Sequence, residues 1–329
     1  MNLKAKPWVW LLLFCGLVAG AGVGTPASGQ ALASQVLALY PANAGEVVFV
    51  DLQVARRSPH FGQLKAQLLP ERFRQVEQLA ATLGVDFERN VDRVSWVFVN
   101  PGDPARAELL GVAEGAFYLD DIQQAAAARQ VTMTTYREAR MFALGTSRQG
   151  GEFVFALRDN ATCLFGFRGP VEAMLDRAAD GGPSLLDNQT MRGLVEEVNR
   201  SAPLWLVMDG QFAQLGARQL LGEAVRLPGA ETLAEQVRSV TVRIQLDRGL
   251  EATIAARCAT STDALWLSAF LESGFFFQRQ RFASSNPALA RVLADARLER
   301  ADERLRLTLN VPESDLASLI QSRSFAVPF

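Results

Sequence analysis

EVVFVDL, residues 46–52, decides the fold, because a near copy of it returns as LWLVMDG at residues 204–210. Both runs consist of strand-forming apolar residues and reach an aspartate, Asp51 or Asp209, and a helix pattern follows each within a few residues. Further landmarks repeat in the same order. Val91-x-x-Val94-Ser95 answers to Val237-x-x-Val240-Thr241, Glu108 at a strand start to Glu251, and Pro170 at a strand-to-helix junction to Pro312. The offsets fall slowly, from 209 − 51 = 158 through 237 − 91 = 146 and 251 − 108 = 143 to 312 − 170 = 142. An ordered series of this kind indicates a duplicated chain.

Working outward, residues 34–200 form the first half and residues 201–329 the second. In the first, Ser58-Pro59 announces a helix, and Phe61, Leu64, Leu68 and then Phe73, Val76, Leu79, Leu83 keep three- and four-residue spacing. Pro70 splits this stripe into two helices, and Gly84 supplies a left-handed stop. Strands are expected at 94–99, 107–117, 136–144, 152–157 and 162–167. Helices are expected behind Asp120-Asp121, whose acids suit a positive helix end, and at 170–179 and 191–199. The link between 94–99 and 107–117 is too short for a helical crossover, so those strands are antiparallel. The fold class is α+β, with two related halves, each a mostly antiparallel sheet with helices packed on it. The halves differ most where the second carries LWLSAFLESGFFF (265–277) and a helix pattern at 287–296 in place of a hairpin around 137–144.

Residues 40–99 open on Tyr40-Pro41-Ala42, pass through a strand ending Asp51-Leu52 and paired helices, and reach Gly84-x-Asp86 and then Asp92-Arg93-Val94 at a strand entry. This pattern resembles a loose group of bacterial exported proteins of unknown function, departing from it at Phe87 and Asn90. The resemblance implies export and no particular activity.

Export is also read from the N-terminus. Lys4 and Lys6 precede an uncharged run whose densest apolar part is 8–18, followed by small-residue sites such as Ala19-Gly20-Ala21, Ala27-Ser28-Gly29 and Ala31-Leu32-Ala33. Residues 1–33 therefore read as a signal peptide, with an uncleaved anchor as the alternative, and the expected location is the periplasm or cell envelope. Cys15 follows the bulky Phe14, which disfavours lipidation. The terminal Phe329 suggests an outer-membrane barrel strand, but Pro328 and the helix-period segments oppose that. With 329 residues, 49% hydrophobic, the chain can bury a large core, and its net charge of −2 is spread as alternating arginines and acids. Nucleic acid is not an expected partner.

Motifs for chemistry are scarce. The one histidine, His60, falls in the first turn of a helix with no nucleophile or ordering acid nearby in sequence, and reads as structural. No metal-ligand spacing, phosphate loop or nucleophile elbow occurs, so no cofactor or metal is expected. Duplication makes Asp51 and Asp209 candidates for a pair of working acids, against the plainer reading that each ends its strand and caps a turn. Cys163 and Cys258 lie in strands at non-equivalent positions, which favours separate buried thiols over a bridge. Phe275, Phe276 and Phe277, with Phe282, are candidates for contact with a partner, an apolar ligand or a membrane. Leu265, Leu267, Phe270 and Leu271 just before them favour a buried helix and turn instead. The leading expectation is a non-catalytic exported protein acting through binding or assembly. A carrier of an apolar small molecule or lipid comes second and a carboxylate-dependent hydrolase third, and any membrane contact is expected only through an uncleaved N-terminus or the Phe275 region.

Overall fold

A computed structural model describes residues 31–58, 61–68, 71–99, 108–146, 151–199, 202–221, 229–246 and 249–321. Residues 1–30 of the export segment, His60 and Phe329 lie outside them. The chain divides into two compact units, one formed by Gly29–Gln53 and Pro70–Arg200, the other containing Val54–Leu69 and Ser201–Phe329.

In the first unit the strands are β1 (Ala44–Asp51), β2 (Val91–Val99), β3 (Glu108–Gly115), β4 (Met133–Tyr136), β5 (Ala139–Thr146), β6 (Glu152–Leu157) and β7 (Thr162–Phe167). Every described pair is antiparallel, in the order β1-β2-β3-β7-β6-β5-β4. The long helix of the Val54–Leu69 segment, α1 (Phe61–Leu68), packs in the other unit, although the sequence places it in the first half. Helix α2 (Glu71–Thr82) buries Val76 and Ala80 and stops where Gly84 adopts φ 74°. There the Gly84 and Val85 amides donate to the Ala81 and Ala80 carbonyls, the paired bonds of a left-handed helix stop. Helix α3 (Leu119–Ala128) starts with both acids in its first turn; α4 (Arg168–Asp180) and α5 (Gln189–Val198) close the unit. Tyr40, in the Pro-Ala turn, is wholly buried. Its hydroxyl donates to the Ser95 carbonyl at 2.9 Å and lies 2.7 Å from Ser95 Oγ, which pins the entry to β1 onto β2. Burial pushes that phenol well above its ordinary pKa, so it stays a neutral donor.

One expected element needs correction. Residues 136–144 are not one strand but the end of β4, a two-residue turn and most of β5. Arg137 and Glu138 take φ of 46° and 67°, as the turn requires, without the Asn-Gly pair that usually marks it. Contacts made by Arg137 accompany that conformation. Its guanidinium reaches Asp176 at 2.9 Å and Asp180 at 2.6 Å on α4, and the Tyr136 hydroxyl donates to Asp176 at 3.0 Å.

The second unit runs β8 (Leu204–Asp209), α6 (Gly210–Leu221), a short helix Ala230–Glu235, β9 (Val237–Gln245), β10 (Gly249–Cys258), α7 (Ser261–Ser285), α8 (Pro287–Ala294), β11 (Arg297–Ala301), β12 (Arg304–Pro312) and α9 (Glu313–Gln321). Its strand order is β8-β9-β10-β12-β11, antiparallel throughout, and α1 packs against α9.

The strands of the two units repeat in register as well as in order. Asp51 faces Arg93 across β1 and β2, and Asp209 faces Ser239 across β8 and β9, which is the same pairing at offsets 158 and 239 − 93 = 146. Glu108 faces Val99 and Glu251 faces Gln245; Gly166 faces Leu110 and Thr308 faces Thr253, with 308 − 166 = 142. The offsets in the sequence are thus the registers of equivalent strand pairs. The structural difference between the units lies where the sequence diverges: α3 and the β4-β5 hairpin in the first stand against α7 and α8 in the second.

Candidate contact surface

Helix α7 is the largest departure from the repeat, and its sequence explains why it is a continuous helix. Thr260 caps the start, accepting the Asp263 amide at 3.1 Å while its hydroxyl donates to the Asp263 carboxylate at 2.6 Å. Asn286 ends it: its amide donates to the Phe282 carbonyl, and its side chain caps α8, where Pro287 fills the first position. Gly274 does not interrupt the 25 residues.

The inner side, including Ala264, Leu267, Leu271 and Phe275, is buried, and α7 packs against β10, β12 and α8. At 100° per residue the outer side carries Leu265, Trp266, Ala269, Ser273, Phe276, Phe277 and Gln280, all exposed and none charged. Charges occur only on its flanks, Asp263 and Arg281 on one and Glu272 and Arg279 on the other. Leu265, Trp266, Phe276 and Phe277 keep 49%, 61%, 52% and 70% of their surface, and they are four of the six exposed large apolar side chains among the described residues. A helix that is apolar on opposite sides is ordinarily enclosed on both. This one has a dry side and a bare side.

The bare side is locally ordered. The rings of Phe276 and Phe277 meet edge to face with centroids 5.8 Å apart, and the Arg279 guanidinium stands 5.8 Å over Phe276. Next to it, Phe275, Phe276, Leu293 and Leu298 with Glu272 and Arg279 line an open groove of ≈ 300 Å³. By contrast, two voids among the described core residues, one in each unit, are small. One, between β9, β10, β12, α6 and α7, measures ≈ 30 Å³ and the other, around Phe142 and Phe165, ≈ 10 Å³. Each has room for about one water, not for an acyl chain.

Of the residues singled out in the sequence, Phe275 belongs to the core, Phe282 is half-buried, and Phe276 and Phe277 are exposed. The expectation of a buried helix and turn is therefore corrected for these last two. Leu265, expected in the core, and Trp266 join them on the bare side. Their signal was the helical phase: 265 and 276 are three turns apart, as are 266 and 277.

The aspartates belong to different units. Asp51 is buried at the end of β1 opposite Arg93; Asp209 is half-buried at the end of β8, where burial raises its carboxyl above the usual range. Cys163 and Cys258 are buried free thiols whose ionisation is pushed up to about 12 and about 11 by burial, which leaves them unreactive near neutrality. Among the described residues no three His, Cys, Asp or Glu side chains are grouped to hold a metal ion, and no helix is long and apolar enough to cross a membrane.

No family model matches the chain, and no curated protein matches it. Among solved structures it is similar to crystal form I of TP0453, at 10% identity and a TM-score of 0.46 over 91% of this chain and 99% of that one. Crystal form IV of TP0453 aligns at 9% identity and a TM-score of 0.44, over 88% and 96%.

Proposed function

We propose that this chain is an exported envelope protein that works by binding or assembly and not by catalysis, and that the bare side of α7 is its contact surface. The observation that carries this reading is the one helix face of exposed, uncharged residues between Leu265 and Gln280, about 22 Å long at 1.5 Å per residue. Exposure of large apolar side chains to water is unfavourable, and contact relieves it by about 1.5–3 kcal/mol for each one fully covered. Export is supported by the apolar run at 8–18 and by the resemblance of residues 40–99 to exported proteins. A second reading, capture of a small apolar ligand, is favoured by the groove beside Phe276, which is at the small end of ligand-pocket sizes.

A photoreactive phenylalanine analogue placed at 277 in the native envelope tests the proposal. A discrete adduct is expected from position 277 and none from the exposed position 124 on α3. Replacing both Trp266 and Leu265 by serine should cut the yield of that adduct roughly tenfold, since central aromatic anchors carry most contact energy, while melting stays unchanged. Equal adducts from 277 and 124, or none from either, would discard this surface.

A further inference from the structure

We infer that the bare side of α7 pairs with the same side of a second copy of this chain, the two helices running antiparallel about a two-fold axis level with Glu272. The inference rests on the binding role proposed above and names the partner. The face is self-complementary under that operation. Two bulky pairs, Leu265 with Trp266 and Phe276 with Phe277, bracket a waist of Ala269 and Ser273. Reversal about residue 272 brings Phe276 level with residue 268 of the second copy, beside the gap over its Ala269. The Leu265 and Trp266 pair then arrives within a turn of Phe276 and Phe277 of the other helix. Each bulky pair meets another, and the small waists avoid a clash at the axis.

The charges obey the same symmetry. Asp263 and Arg281 lie nine residues to either side of Glu272 and, being 18 residues apart, share one flank, because 18 residues make five turns. Within one chain they are about 27 Å apart and never meet. Across the two-fold axis each Asp263 meets the Arg281 of the second copy, at both ends of the contact. Among the described residues neither side chain has an ion-pair partner in its own chain; Asp263 bonds only the Thr260 hydroxyl. An anionic lipid surface fits this pattern less well, since Asp263 and Glu272 would face it alongside the arginines. Glu272, on the opposite flank, faces its own copy across the axis and weakens the pair. A single helix face is a small interface, so the dimer is reversible and depends on concentration.

Sedimentation velocity of the protein as purified, over a wide concentration range, tests the pairing. A monomer–dimer equilibrium is expected, which Phe277→Glu abolishes. Asp263→Lys and Arg281→Asp should each weaken it about tenfold, and the double variant should restore it, a rescue that two groups so far apart in one chain can give only between chains. Glu272→Gln should tighten it. A monomer at every concentration, a dimer indifferent to Phe277→Glu, or a double variant no better than the singles would overturn the pairing. Failure here is separable from failure of the binding role: an adduct at 277 with a different protein or a lipid keeps the surface and discards the second copy.

Discussion

Gly111→Val should destabilise the protein by about 3 kcal/mol, the upper part of the range for overfilling a packed core, read as a fall in the urea midpoint at constant slope. A Cβ built on Gly111 comes 1.9 Å from Cζ of Phe165, its cross-strand neighbour on β7. That ring is 1% exposed and meets Phe155 edge to face with centroids 6.1 Å apart, so it has nowhere to go. The duplication says what would relieve the clash. Across β1, β2, β3, β7 and β6 the row reads Val48, Trp96, Gly111, Phe165, Phe155; at the equivalent positions of the second unit it reads Leu206, Val242, Ile254, Leu307, Leu298. One unit fills the layer with aromatics around a glycine, the other with aliphatic residues of middling size. Gly111→Val combined with Phe165→Leu should therefore recover most of the loss, whereas Phe165→Leu alone leaves a cavity and costs about 1–2 kcal/mol. If the double variant is as unstable as the sum of the singles, the two rows are not alternative packings of one layer.

The difference between the two rows also shows why the repeat was legible while individual residues were not. Register requires only that strand ends and polar marks keep their spacing, so Asp51 and Asp209, Glu108 and Glu251, and Pro170 and Pro312 survive as a series although the core between them has been rebuilt. The β4 strand, MTTY, is hidden in the sequence because it is largely exposed and its turn uses Arg137 and Glu138, with Arg137 held by contacts with α4 that are distant in sequence. The contact face of α7 was hidden for the opposite reason. Periodicity reveals a face only where apolar and polar residues segregate, and α7 is apolar on both sides, so the phenylalanine run reads equally well as core or surface. What assigns the faces is the position of the sheet.

Glu46→Leu should stabilise the protein at pH 8 and leave it little changed at pH 4. Glu46 follows an irregularity at the start of β1 and faces Phe98 on β2; the residue is half-buried, and desolvation of its carboxyl pushes it up to about 8 from 4.5. Because the folded value lies above the unfolded one, the native state holds the extra proton, so the stability is fully present below pH 4.5 and is lost as pH rises from there through about 8. A shift of that size corresponds to at most about 5 kcal/mol, and partial access to water reduces the expected effect to about 2–3 kcal/mol. The second unit has already made the replacement: Leu204 faces Ile244 where Glu46 faces Phe98, at the offsets 204 − 46 = 158 and 244 − 98 = 146. Asp209 has a carboxyl raised in the same direction and Asp315, held low by Arg291, contributes with the opposite sign, so the wild-type profile alone is a mixture. The difference between the wild-type and Glu46→Leu profiles isolates the one group. It should be flat below about pH 4.5 and climb toward pH 8; a difference that stays constant across that range would mean that leucine acts by packing alone and that Glu46 ionises as an ordinary surface acid.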